Sequence, residues 1–182
     1  MIQTDDFEAF MRAYQNLVFT TAVRLLGNSV DAQDIAQEVF LKAYDRFNDL
    51  RQSPTAGGWL KTVTTNLCLN QLTRYRARWR FFSEMTDAES DEESMESRLP
   101  AEDKRDLTEE LDEKRHLLET ALHKLPQAQR VPLVLYHFEE MSYEAIAAQL
   151  KTSLSKVKTD IHRGRLALAK KLGFTMEGTR KD

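Results

Sequence analysis

The stretch SYEAIAAQLKTSLSKVKTDIHRGR, residues 142–165, decides how this chain is read. Ser142 is a helix-capping residue, Ile146 and Leu150 are apolar one turn apart and Ala147 is small. Ser142 to Leu150 therefore reads as a short supporting helix that another helix can cross closely. After a turn at Lys151 and Thr152, Ser153 supplies a second cap, and Leu154, Val157, Ile161 and Leu168 recur at helical spacing to pack inward. Two helices so joined form a helix-turn-helix, whose second helix enters the major groove of duplex DNA. The outward positions Ser155, Lys156, Lys158, Thr159, His162, Arg163 and Arg165 combine cations for phosphates with groups that read base edges. From Lys151 to Asp182 nine Lys or Arg stand against three acids, a local charge of +6 in a chain whose total is −3. Two packed helices with a merely solvated basic face would not require the basic excess to coincide with this spacing.

Working towards the N-terminus, Leu111, Leu117, Leu118, Ala121, Leu122 and Leu125 show helical periodicity and place the opening of this domain near residue 113. Before it, residues 83–112 change character: Glu84, Asp87, Glu89, Asp91, Glu92, Glu93 and Glu96 come with little apolar periodicity and with Pro100, which predicts an acidic flexible linker. Residues 1–82 form a further domain. Phe7, Phe10, Met11, Tyr14, Leu17, Val18, Ala22 and Leu25 predict a first amphipathic helix, closed by Gly27. A second starts at Ser29, with Asp31 and Asp34 at its positive end and Ile35, Val39, Ala43 and Phe47 on one stripe. A third begins at Trp59, after the break Ser53 to Gly58, with Leu60, Val63, Leu67 and Leu72 as its apolar positions. Few glycines and prolines, 6 and 4, accompany these patterns. The fold class is all-α: two small helical domains joined by the linker.

The third helix carries its own nucleic-acid chemistry. From Gly57 to Phe82 every charged residue is positive, Lys61, Arg74, Arg76, Arg78 and Arg80, and Trp59, Tyr75, Trp79, Phe81 and Phe82 are interleaved with them. Thr62, Asn66, Asn70 and Thr73 share one helical face. Amides and hydroxyls that meet exposed bases, beside arginines that hold phosphates, suit a melted strand. Packing explains much of the aromatic set, Trp59 above all, but not Asn66 and Asn70.

Composition narrows the remaining classes. Cys68 is the only cysteine, so there is no internal disulfide and no thiolate cluster for zinc or an iron–sulfur centre. His116, His123, His137 and His162 show no metal-ligand pattern, and Cys68 has no identifiable base partner, so no catalytic residue, metal or cofactor is expected. The N-terminus has no basic stretch leading into an apolar core, and the apolar runs fall short of the roughly 20 residues that span a bilayer. A cytoplasmic protein without membrane insertion is expected.

Three motifs then stand in order: DAQDIAQEVFLKAY at 31–44, WLKTVTTNLCLN at 59–70, and Leu125-Pro126 through Val157-Lys158 to His162-Arg163-Gly164-Arg165. Together they resemble an extracytoplasmic-function sigma factor of the bacterial sigma-70 family over nearly the whole chain outside the linker. The resemblance implies an initiation factor that binds core RNA polymerase, melts promoter DNA and reads the minus-10 and minus-35 elements with the N- and C-terminal domains. It implies that Asp31, Asp34, Gln37 and Glu38 dock on the polymerase clamp helices. It also implies that Lys42, Leu50, Val63, Thr64 and Asn66 surround a flipped minus-10 base, with Asn70 at a neighbour; the residue pattern itself puts Thr62, Arg74 and Arg76 along the same strand. An anti-sigma protein is the implied restraining partner. The chain departs from the family pattern at Lys151 and Thr152 in the turn, at Pro132 within an expected helix and at Asp160, where arginine is common. From the residues alone a second class stays open: a helix-turn-helix regulator whose N-terminal helices sense a signal or dimerise.

Overall fold

A computed structural model describes residues 4–85 and 109–173, apart from the side chains of Thr4, 76–85 and Glu109. Every element among them is a helix, α1 (Thr4–Leu26), α2 (Ser29–Asp45), α3 (Phe47–Leu50), α4 (Ala56–Met85), α5 (Glu109–His123), α6 (Gln127–His137), α7 (Tyr143–Leu150) and α8 (Leu154–Lys171). They fall into two compact units, α1 to α4 and α5 to α8. The acidic stretch 86–108 lies outside the described residues. Helix reaches into both ends of the segment expected as linker, since α4 runs to Met85 and α5 begins at Glu109.

In the first unit, α1 packs against both α2 and α4. Gly27 ends α1 at φ +67°, a left-handed conformation that glycine adopts without a Cβ penalty. The cap of α2 is Asn28, one residue before the expected Ser29: its Oδ1 accepts from the N–H groups of Val30 (2.9 Å) and Asp31 (3.3 Å). Phe47 does not extend α2. The chain breaks at Arg46, and Phe47 turns inward from the single turn of α3 to meet Phe7 and Phe10 edge-on at 5.1 and 5.5 Å.

The third helix starts three residues earlier than the sequence pattern predicts, at Ala56, so Gly57 and Gly58 are helical. Gly57 has a packing reason, because a Cβ there would sit 3.3 Å from Cε1 of Tyr14 on α1. The buried stripe of α4 is Ala56, Leu60, Thr64, Thr65, Cys68 and Leu69, while Val63, Leu67 and Leu72 are half-buried. Four of these six side chains are small. The Thr64 hydroxyl is satisfied there by donating to the Leu60 carbonyl at 2.7 Å.

In the second unit, Ile146, Val157, Ile161, Val131, Leu133, Val134 and Leu135 form the core. α6 runs through Pro132, which removes one backbone donor but is itself buried. Arg130 is also buried, and its Nη1 donates to the Leu125 carbonyl at 2.9 Å, tying the start of α6 to the turn before it. Ser142 Oγ accepts from the N–H of Ala145 and Ser153 Oγ from that of Lys156, both at 3.1 Å, so each helix of the α7–α8 pair has a side-chain cap. Between them Lys151 sits at φ +53° and closes α7, with Thr152 N–H on the Ala147 carbonyl at 3.0 Å.

Candidate nucleic-acid interface

On α8 the inward positions are Val157, Ile161 and Gly164. Gly164 lies close against α6, where a Cβ would come 3.2 Å from the Gln129 carbonyl oxygen. This crossing rotates the opposite face outward, and Ser155, Lys156, Lys158, Thr159, His162 and Arg163 are all exposed. From Ser155 to Arg163 that face runs about 12 Å along the helix axis at 1.5 Å per residue. The Thr159 hydroxyl donates to the Ser155 carbonyl at 3.0 Å, leaving its lone pairs for an incoming donor.

Arg165 corrects the sequence reading. It is half-buried on the flank that meets α6, where its Nε donates to Nε2 of His137 at 3.1 Å and its guanidinium lies 5.3 Å from the Tyr136 ring centroid. Arg165 thus ties α8 to α6 rather than standing out with the other cations, and Tyr136 in turn stacks on Tyr143 of α7 at 4.7 Å. Burial, then the Arg165 charge, pushes the His137 pKa below its ordinary value, as accepting this hydrogen bond requires a neutral ring. Lys156 is exposed but paired, with its Nζ 2.7 Å from Asp160 Oδ2.

On α4, Thr62, Asn66, Asn70, Thr73 and Arg74 are exposed along one side. The Thr62 and Thr73 hydroxyls donate back to the carbonyls of Gly58 (3.0 Å) and Leu69 (2.9 Å), so Asn66 and Asn70 are the pair with amides turned to solvent. Arg76 lies on the same helix, its side chain outside the described residues, as are those of Arg78 and Arg80. Two members of the expected pocket are sealed in the core: Thr64 is fully buried and Leu50 nearly so. Neither can touch a base without the unit opening. Val63 is half-buried, and Lys42 is exposed on α2 with Glu38 3.9 Å away.

Of the acidic set on α2, Asp34, Gln37 and Glu38 are exposed. Asp31 instead faces α4 and accepts hydrogen bonds from Tyr75 and Gln71. Partial burial, reinforced by the Asp34 carboxylate, holds its pKa above the ordinary value even so. Gln71 and Tyr75 thus join the acidic surface to the helix that carries Asn66 and Asn70. Their polarity alone did not single them out, because only the register of α2 against α4 reveals the contact.

The two units match two parts of one known architecture. Residues 10–80 match the sigma-70 region 2 family and residues 115–168 the sigma-70 region 4 family. SigW of Bacillus subtilis, an extracytoplasmic-function RNA polymerase sigma factor, is 30% identical over 92% of this chain and 89% of its own. The chain belongs to the extracytoplasmic-function sigma factors of the sigma-70 family. The sigma factor YlaC of Bacillus subtilis is 30% identical over 99% of both chains. SigE of Mycolicibacterium smegmatis is 35% identical over 89% of this chain, which spans only 60% of that longer protein. Among solved structures, the sigma factor RpoE of Bartonella quintana, crystallised with the anti-sigma factor NepR, has the same fold at a TM-score of 0.53, with 22% identity over 93% of this chain and 98% of that one. In this sigma factor α1 to α4 are thus the region 2 unit and α5 to α8 the region 4 unit.

Proposed function

We propose that this sigma factor binds core RNA polymerase, reads the minus-35 duplex with α8 and captures the opened minus-10 strand on α4, supplying specificity while the polymerase performs nucleotidyl transfer. The observation that carries this reading is the exposed Asn66 and Asn70 pair, one turn apart on a helix with Thr62 and Arg74 beside it. Amides on a rigid helix reach the Watson–Crick edges of unpaired bases, and a unit that merely senses or dimerises has no need of them. Arg76 extends the same strand-holding role. On α8, Lys158 and Arg163 bind phosphate while Ser155, Thr159 and His162 face the bases, and Lys156 flanks them.

Asp34, Gln37 and Glu38 are the contact to polymerase, with Asp31 setting the spacing of α2 from α4. Lys42 lies at the border of the two surfaces. Val63 lines the base pocket, whereas Leu50 and Thr64 support it from beneath. Arg165 acts through position, holding α8 to α6. A second partner is an anti-sigma protein that covers one of these faces, as NepR accompanies the RpoE sigma factor. Such a protein works without metal or cofactor, in the cytoplasm where polymerase is; no helix among the described residues is long and apolar enough to cross a membrane.

Reconstitution with core polymerase tests this. Transcription from a promoter that starts only when this chain is added supports it, and duplex binding by a chain that does not bind core rejects it.

A further inference from the structure

Asp160 is the only acid in α8, and it stands one turn after Lys156 on one edge of the outer face. The ammonium and carboxylate meet at 2.7 Å, yet the two ends differ: the Lys156 side chain is 55% exposed and that of Asp160 only 13%. The carboxylate is the shielded member, and the long lysine reaches forward along the helix to meet it. Lys158 on the other edge and Arg163 are exposed, and neither has a hydrogen-bonding acid on its own helix. The reading face is therefore asymmetric in charge.

We propose that Asp160 is a specificity-determining residue of the DNA-reading helix. By engaging Lys156 it withholds that ammonium from phosphate binding and presents it to a guanine edge. This rests on the assignment of α8 to duplex reading. Phosphate contacts strengthen binding to every sequence alike, whereas a base-edge contact strengthens only the matching one. An ammonium has three N–H donors. One stays on Asp160, and the others meet the O6 and N7 acceptors that only guanine places together in the major groove. Against a phosphate the same lysine brings the Asp160 charge with it, and like charges repel. The helix thus gives up general affinity and gains discrimination.

The test uses the full chain assembled with core polymerase, and two duplexes: an upstream element selected by that assembly from a randomised library, and a scrambled control. In Asp160→Asn, scrambled-duplex affinity should rise about three- to tenfold and the slope of log K against log salt should steepen by about 0.9, the increment for one added phosphate contact. The selected element should gain less, so the ratio between the two falls. Lys156→Ala placed on Asp160→Asn should cancel the gain, and Asp160→Glu, which keeps charge and spacing, should retain the original ratio. An unchanged slope and ratio in Asp160→Asn, or a gain that survives Lys156→Ala, overturns the inference. Lys158→Ala and Arg163→Ala distinguish the two levels: if neither weakens duplex binding, the assignment of α8 itself fails, whereas their expected loss beside a silent Asp160→Asn removes the role of Asp160 alone.

Discussion

At Gly164 two helices come within reach of each other's backbone. Substitution to Val pushes new carbon onto the Gln129 carbonyl and the Leu133 side chain, and overpacking of this kind costs about 1 to 3 kcal/mol. Gly164→Val should therefore lower the stability of the α6–α8 packing and weaken duplex binding in parallel, measured by denaturation and by affinity for the upstream element. A wild-type affinity at reduced stability would show that α8 is posed without α6. Nearby, His137 gives this unit a pH dependence of definite sign. Its folded-state pKa is lowered, so the unfolded chain binds the proton more readily, and its contribution is complete above the ordinary histidine value of about 6.5 and is lost as pH falls through that value towards the folded one. His123, lowered by burial and then by Arg130, acts in the same direction. The protection of amides in α6 and α8, taken relative to the intrinsic exchange rate at each pH, should fall between pH 7.5 and pH 5.5, and His137→Gln, whose oxygen still accepts from Arg165, should reduce that fall. Protection equally pH-sensitive in the variant would assign the effect elsewhere.

At the scale of elements, the α7–turn–α8 pair is readable because caps are local chemistry: Ser142 and Ser153 each satisfy an N–H three residues ahead, whatever lies around them. The turn was readable as a departure, and its meaning needed the backbone. Lys151 holds a left-handed conformation at φ +53° that costs a residue with a Cβ about 1 kcal/mol or more. Lys151→Gly should thus raise stability by about 0.5 to 1 kcal/mol, the relief being partly offset by the greater freedom of glycine in the unfolded chain. An unchanged or lowered midpoint would contradict the strain. The edges of α8 were less readable than its centre. Positions opposite the core, Ser155, Thr159 and His162, follow from helical period, but Arg165 on the flank was assigned outward because the sequence does not say where α6 runs. α4 misled for another reason. Hydropathy favours Val63, Leu67 and Leu72 for the core, whereas the packed register buries Thr64, Thr65 and Cys68; the family resemblance, which places Thr64 beside a base, carries no information on that burial.

Over the whole molecule, the proposed function gives the two units different forms of the same polymer. α8 presents cations along a face about 12 Å long, near the width of a major groove, whereas α4 presents two solvent-facing amides suited to bases already out of the stack. The family was identifiable from three ordered motifs, because those motifs hold both core spacing and surface chemistry. The division of labour rests on the geometry of the two helices. Its most direct test is the binding of the polymerase assembly to two separate ligands, a duplex with the upstream element alone and a single strand with the minus-10 sequence alone. Asn66→Ala with Asn70→Ala should weaken the single strand by about tenfold or more, at about 1 to 3 kcal/mol per lost bidentate base-edge contact, and leave the duplex within twofold. Lys158→Ala with Arg163→Ala should do the reverse. If either pair of substitutions weakens both ligands equally, or if the asparagine pair affects only the duplex, the assignment of opened strand to α4 and closed duplex to α8 is wrong.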